Sequence, residues 1–291
     1  MRGVGTTSGA VTVVNALPTG VGCAVALALP VRAEIELRPS TDAHSHKIQL
    51  DRASDTALVR QTLDAGLSRF APGRVFSGEL RISSEVPAGR GLKSSSAVGT
   101  AVLRALASAL HQSRPDPELA RLAADVAQEI GLSATGAYDD CLASLQGGLV
   151  LTDNTHRTPL RSAPFDLSLR VVLWIPPESH LPSASWLPRF RSEAAAGRTV
   201  VERARSGNWA EAMTLNTELV ERVMGYDYRG LRAELRRQGA VMCGVSGMGP
   251  TVAALVPALA VERVAAQFPA DRGEVRSVDI RRGETLPAEG S

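Results

Sequence analysis

One stretch limits the fold of this chain more than any other, the run from Gly78 to Leu110, "GELRISSEVPAGRGLKSSSAVGTAVLRALASAL". Leu80, Ile82, Ser84 and Val86 alternate as a half-buried strand does, and Val98, Val102, Ala105, Leu106 and Ala109 recur at helical spacing. The order is therefore strand, glycine-rich loop, buried helix, with the helix opening inside the serine run Ser94 to Ser96. The loop supports two readings. In one, Gly89 and Gly91 let the backbone approach an anion, the helix start offers unpaired N–H groups, and Lys93 adds a cation. In the other it is a glycine turn whose serines cap the helix. A Walker A loop is disfavoured: G-x-x-x-x-G-K-[ST] ending on Lys93 and Ser94 demands glycine at 92 and 87, where the chain has Leu92 and Pro87.

The pattern around this unit is that of an α+β protein. Upstream, "GAVTVVNAL" and "CAVALALPVRAEIELRP" are apolar runs separated by "PTGVG", hence two strands and a turn. No charge falls between Arg2 and Arg32, yet glycines, Asn15 and Pro18 interrupt the run, so it lacks the continuous apolar length of a signal peptide or membrane span. Helices are expected over 55–68 and in "DPELARLAADVAQEIGL", and a strand in "LVLTDN". The polar, proline-bearing stretch from Asn154 to Pro164 places a boundary between an N-terminal domain, 1–155, and a C-terminal domain, 156–291. Beyond it come a strand in "LSLRVVLWIPPE", helices over 186–206, 209–224 and 231–238, and two strands joined by a glycine loop in "AVMCGVSGMGPTVAALV". A helix near 261–268, a strand near 274–280 and a loose "PAEGS" tail finish the chain. Strands and helices do not alternate evenly, which favours α+β over a doubly wound sheet.

Composition narrows the functional classes. With 291 residues, 44% hydrophobic, the chain can bury two domain-sized cores. Its 32 basic and 30 acidic residues leave a net charge of +2, and 4% aromatic residues with no basic run argue against nucleic-acid and membrane partners. Cys23, Cys141 and Cys243 are scattered and form no CxxC, so they suggest neither a disulfide framework nor a zinc site and fit a reducing cytoplasm. His44 and His46 have no third ligand nearby and read as exposed loop histidines.

Two other places could carry chemistry. In "TGAYDDCLASLQGG", Asp139 and Asp140 stand among small residues and glycines, the setting of a tight, partly buried turn, and a buried carboxylate requires a cation or a donor. "GVSGMGP" sets Gly244, Gly247 and Gly249 around Ser246, as either a second ligand loop or a plain hairpin connection.

Taken together these segments resemble a family. Pro87-x-x-x-Gly91-Leu92-x-Ser94-Ser95-Ser96-Ala97 is similar to the second motif of the GHMP kinases, P-x-x-x-G-L-x-S-S-A-A, and Gly-Leu-Lys-Ser-Ser-Ser-Ala resembles the archaeal-type shikimate kinase branch. "SGAVTVVNALPTGVGCAVAL" resembles that branch's first motif, "TGAYDDCLASLQGGLVLTDN" its aspartate segment and "GAVMCGVSGMGPTVAAL" its third motif, in the family's order. The resemblance implies a two-domain fold, with an N-terminal half like ribosomal protein S5 domain 2 and a C-terminal half of helices on an antiparallel sheet. It also implies ATP and Mg²⁺ as cofactors and a small-molecule hydroxyl acceptor, shikimate, giving shikimate 3-phosphate.

Carried over by position, the resemblance makes Pro87, Ala88, Gly89, Arg90, Gly91, Leu92, Lys93, Ser94, Ser95, Ser96 and Ala97 the nucleotide loop. Asp140, seven residues before Gly147, takes the catalytic aspartate's place with Lys93 assisting; Ser95 and Glu129 take those of the Mg²⁺ ligands. Asn15, Asp139, Ser246 and Gly247 are the candidate acceptor contacts. Val21 replaces the branch's usual first-motif lysine and Met248 its third-motif threonine. Rival readings are a kinase of another cyclitol or polyol, a non-catalytic ATP and sugar sensor, and an S5-like RNA-binding module. Asp140, Ser95 and Glu129 present together weigh against the sensor.

Overall fold

The computed structural model describes residues 1–40, 45–52, 54, 56–178 and 186–283. It opens with two long strands, β1 (Arg2–Val14) and β2 (Val21–Pro39), paired antiparallel from Arg2 opposite Glu36 to Val14 opposite Cys23. Along β2, Val31, Ala33, Ile35 and Leu37 are buried, while Arg32, Glu34 and Arg38 face outward and Glu36 lies between. The other edge of β2 is shared end to end. Residues Val31 to Pro39 pair with β4 (Phe76–Ser84), and Val21 to Val25 pair with β5 (Leu149–Asp153). A short β3 (Lys47–Leu50), parallel to β4, and β6 (Thr158–Ala163), antiparallel to β5, complete a six-stranded sheet.

Two helices lie directly on this sheet, α2 (Ser94–Ala109) and α4 (Tyr138–Gln146); α1 (Ala57–Phe70) and α3 (Asp116–Glu129) pack against them. The second sheet is antiparallel, in the order β10 (Glu274–Asp279), β7 (Leu169–Ile175), β9 (Val252–Pro257), β8 (Met242–Val245). Helices α5 (Leu187–Ser192), α6 (Ala194–Arg205), α7 (Trp209–Met224) and α8 (Arg229–Arg237) precede β8, and α9 (Val261–Ala265) follows β9. One buried cluster runs from Val11 and Val25 of the first sheet to Leu173, Met213 and Leu255 of the second half, so the halves share a core.

The chain end returns to the first sheet. Leu27 and Ile280 form a bridge, Arg281 N–H donates to Ala26 O (3.0 Å) and Gly148 N–H donates to Arg281 O (2.9 Å). The Arg281 guanidinium then reaches the last carbonyls of α4, donating to Leu145 O at 2.9 Å and also to Ser144 O. A helix C-terminus is the negative end of its dipole, so this cation sits where it stabilises.

Three expectations change. The segment after Asn154, read as an interdomain passage, contains β6, because Thr158 to Ala163 complete the ladder on β5 despite Pro159; the first sheet keeps the chain beyond 155. The expected helix over 186–206 is two helices, α5 and α6, meeting at Glu193. The serine run does not cap α2 through its side chains: Lys93 is the cap residue, in the left-handed region at φ 69° with no side-chain bond. Of the two loop histidines, His46 is half-buried, accepting from Phe76 N–H at 3.3 Å, and His44 lies outside the described residues, as does the "PAEGS" tail.

Candidate active site

The loop between β4 and α2 is pinned at both ends by apolar side chains. Val86 and Leu92 are buried, and Leu92 O accepts from Ala10 N–H of β1 at 3.2 Å. Between these pins, Gly89 (φ 69°) and Gly91 (φ 80°) take left-handed conformations. Gly91 could be nothing else, since a Cβ there would lie 2.3 Å from Ser246 O. The first bond within α2 runs from Ala97 N–H to Lys93 O, so the N–H groups of Ser94, Ser95 and Ser96 precede the helical ladder. Ser94 is half-buried, Ser95 exposed and Ser96 buried, its hydroxyl against Cys141.

Not every residue of the expected loop can touch a ligand with its side chain. Leu92 and Ala97 are core, and Ala97 O accepts from Thr7 Oγ1 at 2.7 Å. Arg90 points away, donating to Pro176 O at the end of β7 at 2.9 Å. Pro87 is half-buried and Ala88 exposed.

Asp139 and Asp140 stand in the first turn of α4 and not in an open turn. The flanking glycines that suggested a turn lie just outside a nine-residue helix, whose left-handed cap is Ala137. Arg157 ties the approach down: it donates to the carbonyls of Thr135 and Asn154, bonds Gln128 Oε1 and pairs with Asp125 of α3. Both aspartates are buried, at 4% and 7% exposure. Their side chains have different partners. Asp139 Oδ1 accepts from Asn154 Nδ2 at 2.7 Å, while Asp139 N–H donates back to Asn154 Oδ1 at 3.1 Å. Asp140 Oδ2 meets Lys93 Nζ at 3.2 Å, and Asp140 Oδ1 has no hydrogen-bond partner among the described residues.

This difference shapes the electrostatics. Burial raises the pKa of Asp140, the negative charge of Asp139 raises it further, and Lys93 only partly opposes them, so the carboxyl is pushed up to about 7. Burial also raises Asp139, opposed by Lys93 and by the bond from Asn154. The neighbouring Cys141 thiol is pushed up to about 12, chiefly by burial, and stays protonated.

The first and third glycine segments close around this centre. Gly22, at the start of β2, lies against Asp139, where a Cβ would be 2.3 Å from Oδ2. Ser246 Oγ donates to Gly91 O (2.7 Å) and accepts from Thr12 N–H (3.1 Å), while Gly247 N–H donates to Thr12 Oγ1 (2.9 Å). Asn15 Nδ2 donates to Gly247 O at 3.1 Å, and its Oδ1 accepts from Leu17 N–H at 2.9 Å. Asn15 and Ser246 thus fasten three loops to one another. A Cβ at Gly247 would be 3.4 Å from Lys93 Nζ, which sets that backbone beside the Lys93 and Asp140 pair.

Glu129 ends α3 exposed, its carboxylate without a hydrogen bond or ion pair among the described residues. No cluster of three or more His, Cys, Asp or Glu residues that could hold a metal occurs among the described residues. Sequence reasoning passed over Asn154, Thr12 and Asn216. Asn154 is fully buried, and Asn216 Oδ1 accepts from Asn15 N–H at 2.7 Å. Asn154 had one signal, its place at the end of the "LVLTDN" strand in the aspartate segment.

The shikimate kinase of Pyrococcus furiosus is 35% identical over 255 residues, covering 88% of this chain and 92% of that protein. That of Methanosarcina mazei is 34% identical, covering 86% and 84%. Among solved structures, Methanococcus jannaschii mevalonate kinase matches with a TM-score of 0.72 at 15% identity, covering 98% of this chain and 99% of that one, and Lactococcus lactis galactokinase with 0.69 at 13%, covering 98% and 95%. Residues 57–148 match the GHMP kinase N-terminal domain and residues 200–274 the GHMP kinase C-terminal domain, and with relatives this similar over most of its length the chain belongs to the GHMP kinase family.

Proposed function

We propose that this protein transfers the γ-phosphoryl group of ATP to a hydroxyl of shikimate, giving shikimate 3-phosphate. The observation that carries the reading is the unpartnered, buried Asp140 Oδ1 beside Lys93, at the foot of a loop with open N–H groups. An alcohol acceptor must lose a proton as its oxygen attacks, and a carboxylate with pKa about 7 is matched to accept it near neutral pH. In the transfer the acceptor oxygen bonds to the γ-phosphorus, the bond to the bridging oxygen breaks, and the hydroxyl proton passes to Asp140 Oδ1. Lys93 keeps Asp140 oriented and places positive charge beside the transferring group.

The left-handed Gly89 and Gly91 and the N–H groups of Ser94 to Ser96 form a cradle suited to phosphate oxygens. The hydroxyl of exposed Ser95 and the carboxylate of exposed Glu129 are hard oxygen donors suited to Mg²⁺. Mg²⁺ supplies charge neutralisation on the phosphates when bound. On the acceptor side, Asp139, held by Asn154, and the Gly247 backbone face the centre, and Asn15 fixes the Gly247 loop while Ser246 ties that loop to Gly91.

Shikimate as acceptor is supported by the shikimate kinases at 33–35% identity. No helix among the described residues is long and apolar enough to cross a membrane, and we place the reaction in the cytoplasm. The test is ADP release over shikimate, quinate, homoserine and mevalonate, with the product identified by phosphorus NMR. Turnover on another of these and none on shikimate would replace the substrate and keep the kinase; ATP binding without any turnover would leave only the sensor.

A further inference from the structure

A cleft of about 210 Å³ opens where β7 ends and the segment after α7 turns back toward Pro250. Its walls are aromatic. Trp174 meets Tyr228 edge-on with ring centroids 5.9 Å apart, and Tyr226 stacks on Tyr228 at 5.3 Å. Pro176 and Pro250 complete the apolar lining. Two of the rings are held from behind, by Trp174 Nε1–H on Pro269 O at 3.1 Å and Tyr226 O–H on Met248 O at 3.0 Å, so the cleft is preformed. None of these side chains has a part in the phosphoryl chemistry above.

Among the described residues the charged part of the lining is one carboxylate, Glu178, and one guanidinium, Arg272, both exposed. Glu178 makes no ion pair among the described residues, and it raises the pKa of both tyrosine hydroxyls in addition to the effect of burial. Arg272 is paired with Asp271 at 3.8 Å, in a solvent-exposed pair that holds it weakly. A purely cationic ligand would use the rings and Glu178 but face Arg272; a purely anionic one would face Glu178. The cleft is open to solvent on one side, and its three rings frame room for one ring-sized group.

We propose that this cleft is a small-molecule site, separate from the Lys93 and Asp140 centre, for an amino-acid zwitterion with an aromatic side chain. The ring lies among Trp174, Tyr226 and Tyr228, the ammonium meets Glu178 and the carboxylate meets Arg272. The site borders the nucleotide loop, because Arg90 donates to the carbonyl of Pro176, a residue of its wall.

Titration calorimetry of the full chain tests this with L-phenylalanine, and with phenethylamine, 3-phenylpropionate and L-alanine, which lack the carboxylate, the ammonium and the ring in turn. Saturable binding of L-phenylalanine with Kd of about 1 mM or tighter is expected, weakened about tenfold or more by each deletion. Glu178→Gln and Arg272→Gln, both at exposed positions, each weaken it about tenfold, and Tyr228→Ala abolishes it. Three results would each overturn the proposal: no heat with L-phenylalanine at about ten times that concentration, binding untouched by both charge substitutions, or adenosine displacing L-phenylalanine from the cleft.

Discussion

Two glycine loops meet beside Asp140, and they have opposite characters. The loop from Val86 to Lys93 is held at its apolar ends, by Ser246 on the Gly91 carbonyl and by Arg90 on Pro176 O, yet leaves the N–H groups of Ser94 to Ser96 outside the helical ladder. In the loop from Ser246 to Pro250 the polar groups are engaged: the Ser246 hydroxyl both donates and accepts, Gly247 bonds Thr12 and Asn15, and Met248 O accepts from Tyr226. Glycine content alone therefore does not distinguish a ligand cradle from a joint. Which donors stay unpaired does, and substitutions at the two loops should differ in kind, chemistry failing at the first and stability at the second.

The largest effect is expected at the base. Asp140→Asn should lower kcat at least about a hundredfold while far-UV circular dichroism is unchanged; an unaltered rate would remove Asp140 from its role. Lys93→Met takes away the one cation among the described residues that opposes the rise in the Asp140 pKa. In the proposed role the carboxylate of Asp140 is the active form, so wild-type kcat should fall about tenfold per unit below pH about 7, and in Lys93→Met this acid limb should move up by at least about one unit. A pH profile with an unmoved limb would separate Lys93 from Asp140.

Ser95→Ala should raise the Mg²⁺ concentration giving half-maximal rate about tenfold, equivalent to about 1.4 kcal/mol, with no change in thermal midpoint, because the side chain is exposed. Ser246→Ala should do the reverse. It leaves Thr12 N–H and Gly91 O without their partner at a buried position, so urea unfolding should show a loss of about 1–3 kcal/mol. Its kcat should stay within about threefold, on the scale of a displacement costing under about 1 kcal/mol.

Stability should also carry the mark of Asp140. A carboxyl with a raised native pKa holds a proton that the unfolded chain has released, so stability falls as pH rises from the usual carboxylate range to about 7 and then levels. Asp140→Asn should flatten part of that slope, and Asp139, raised as well, should retain the rest.

The parts legible in the sequence were those with a period or a fixed spacing. The alternation of β2, the apolar face of α2 and the four family segments sufficed for the fold, and they pointed to Asp140, which the structure sets beside Lys93. What stayed hidden depended on neighbours distant in sequence. β6 is half-polar and exists because β5 offers it an edge, and the helical state of Asp139 and Asp140 rests on caps and on Arg157. Asn154 and Thr12 carry no pattern, since a single side chain bonding a residue far along the chain leaves no periodicity to read.

The guanidinium of Arg281 closes the far end of the helix that begins with the two aspartates. The site residues from Asn15 to Ser246 all precede this arginine in the chain, and without it the Ser144 carbonyl lacks its guanidinium donor and Leu145 O keeps only Arg104 among the described residues. The seating of the helix that carries Asp140 therefore depends on a residue that joins the chain long after it.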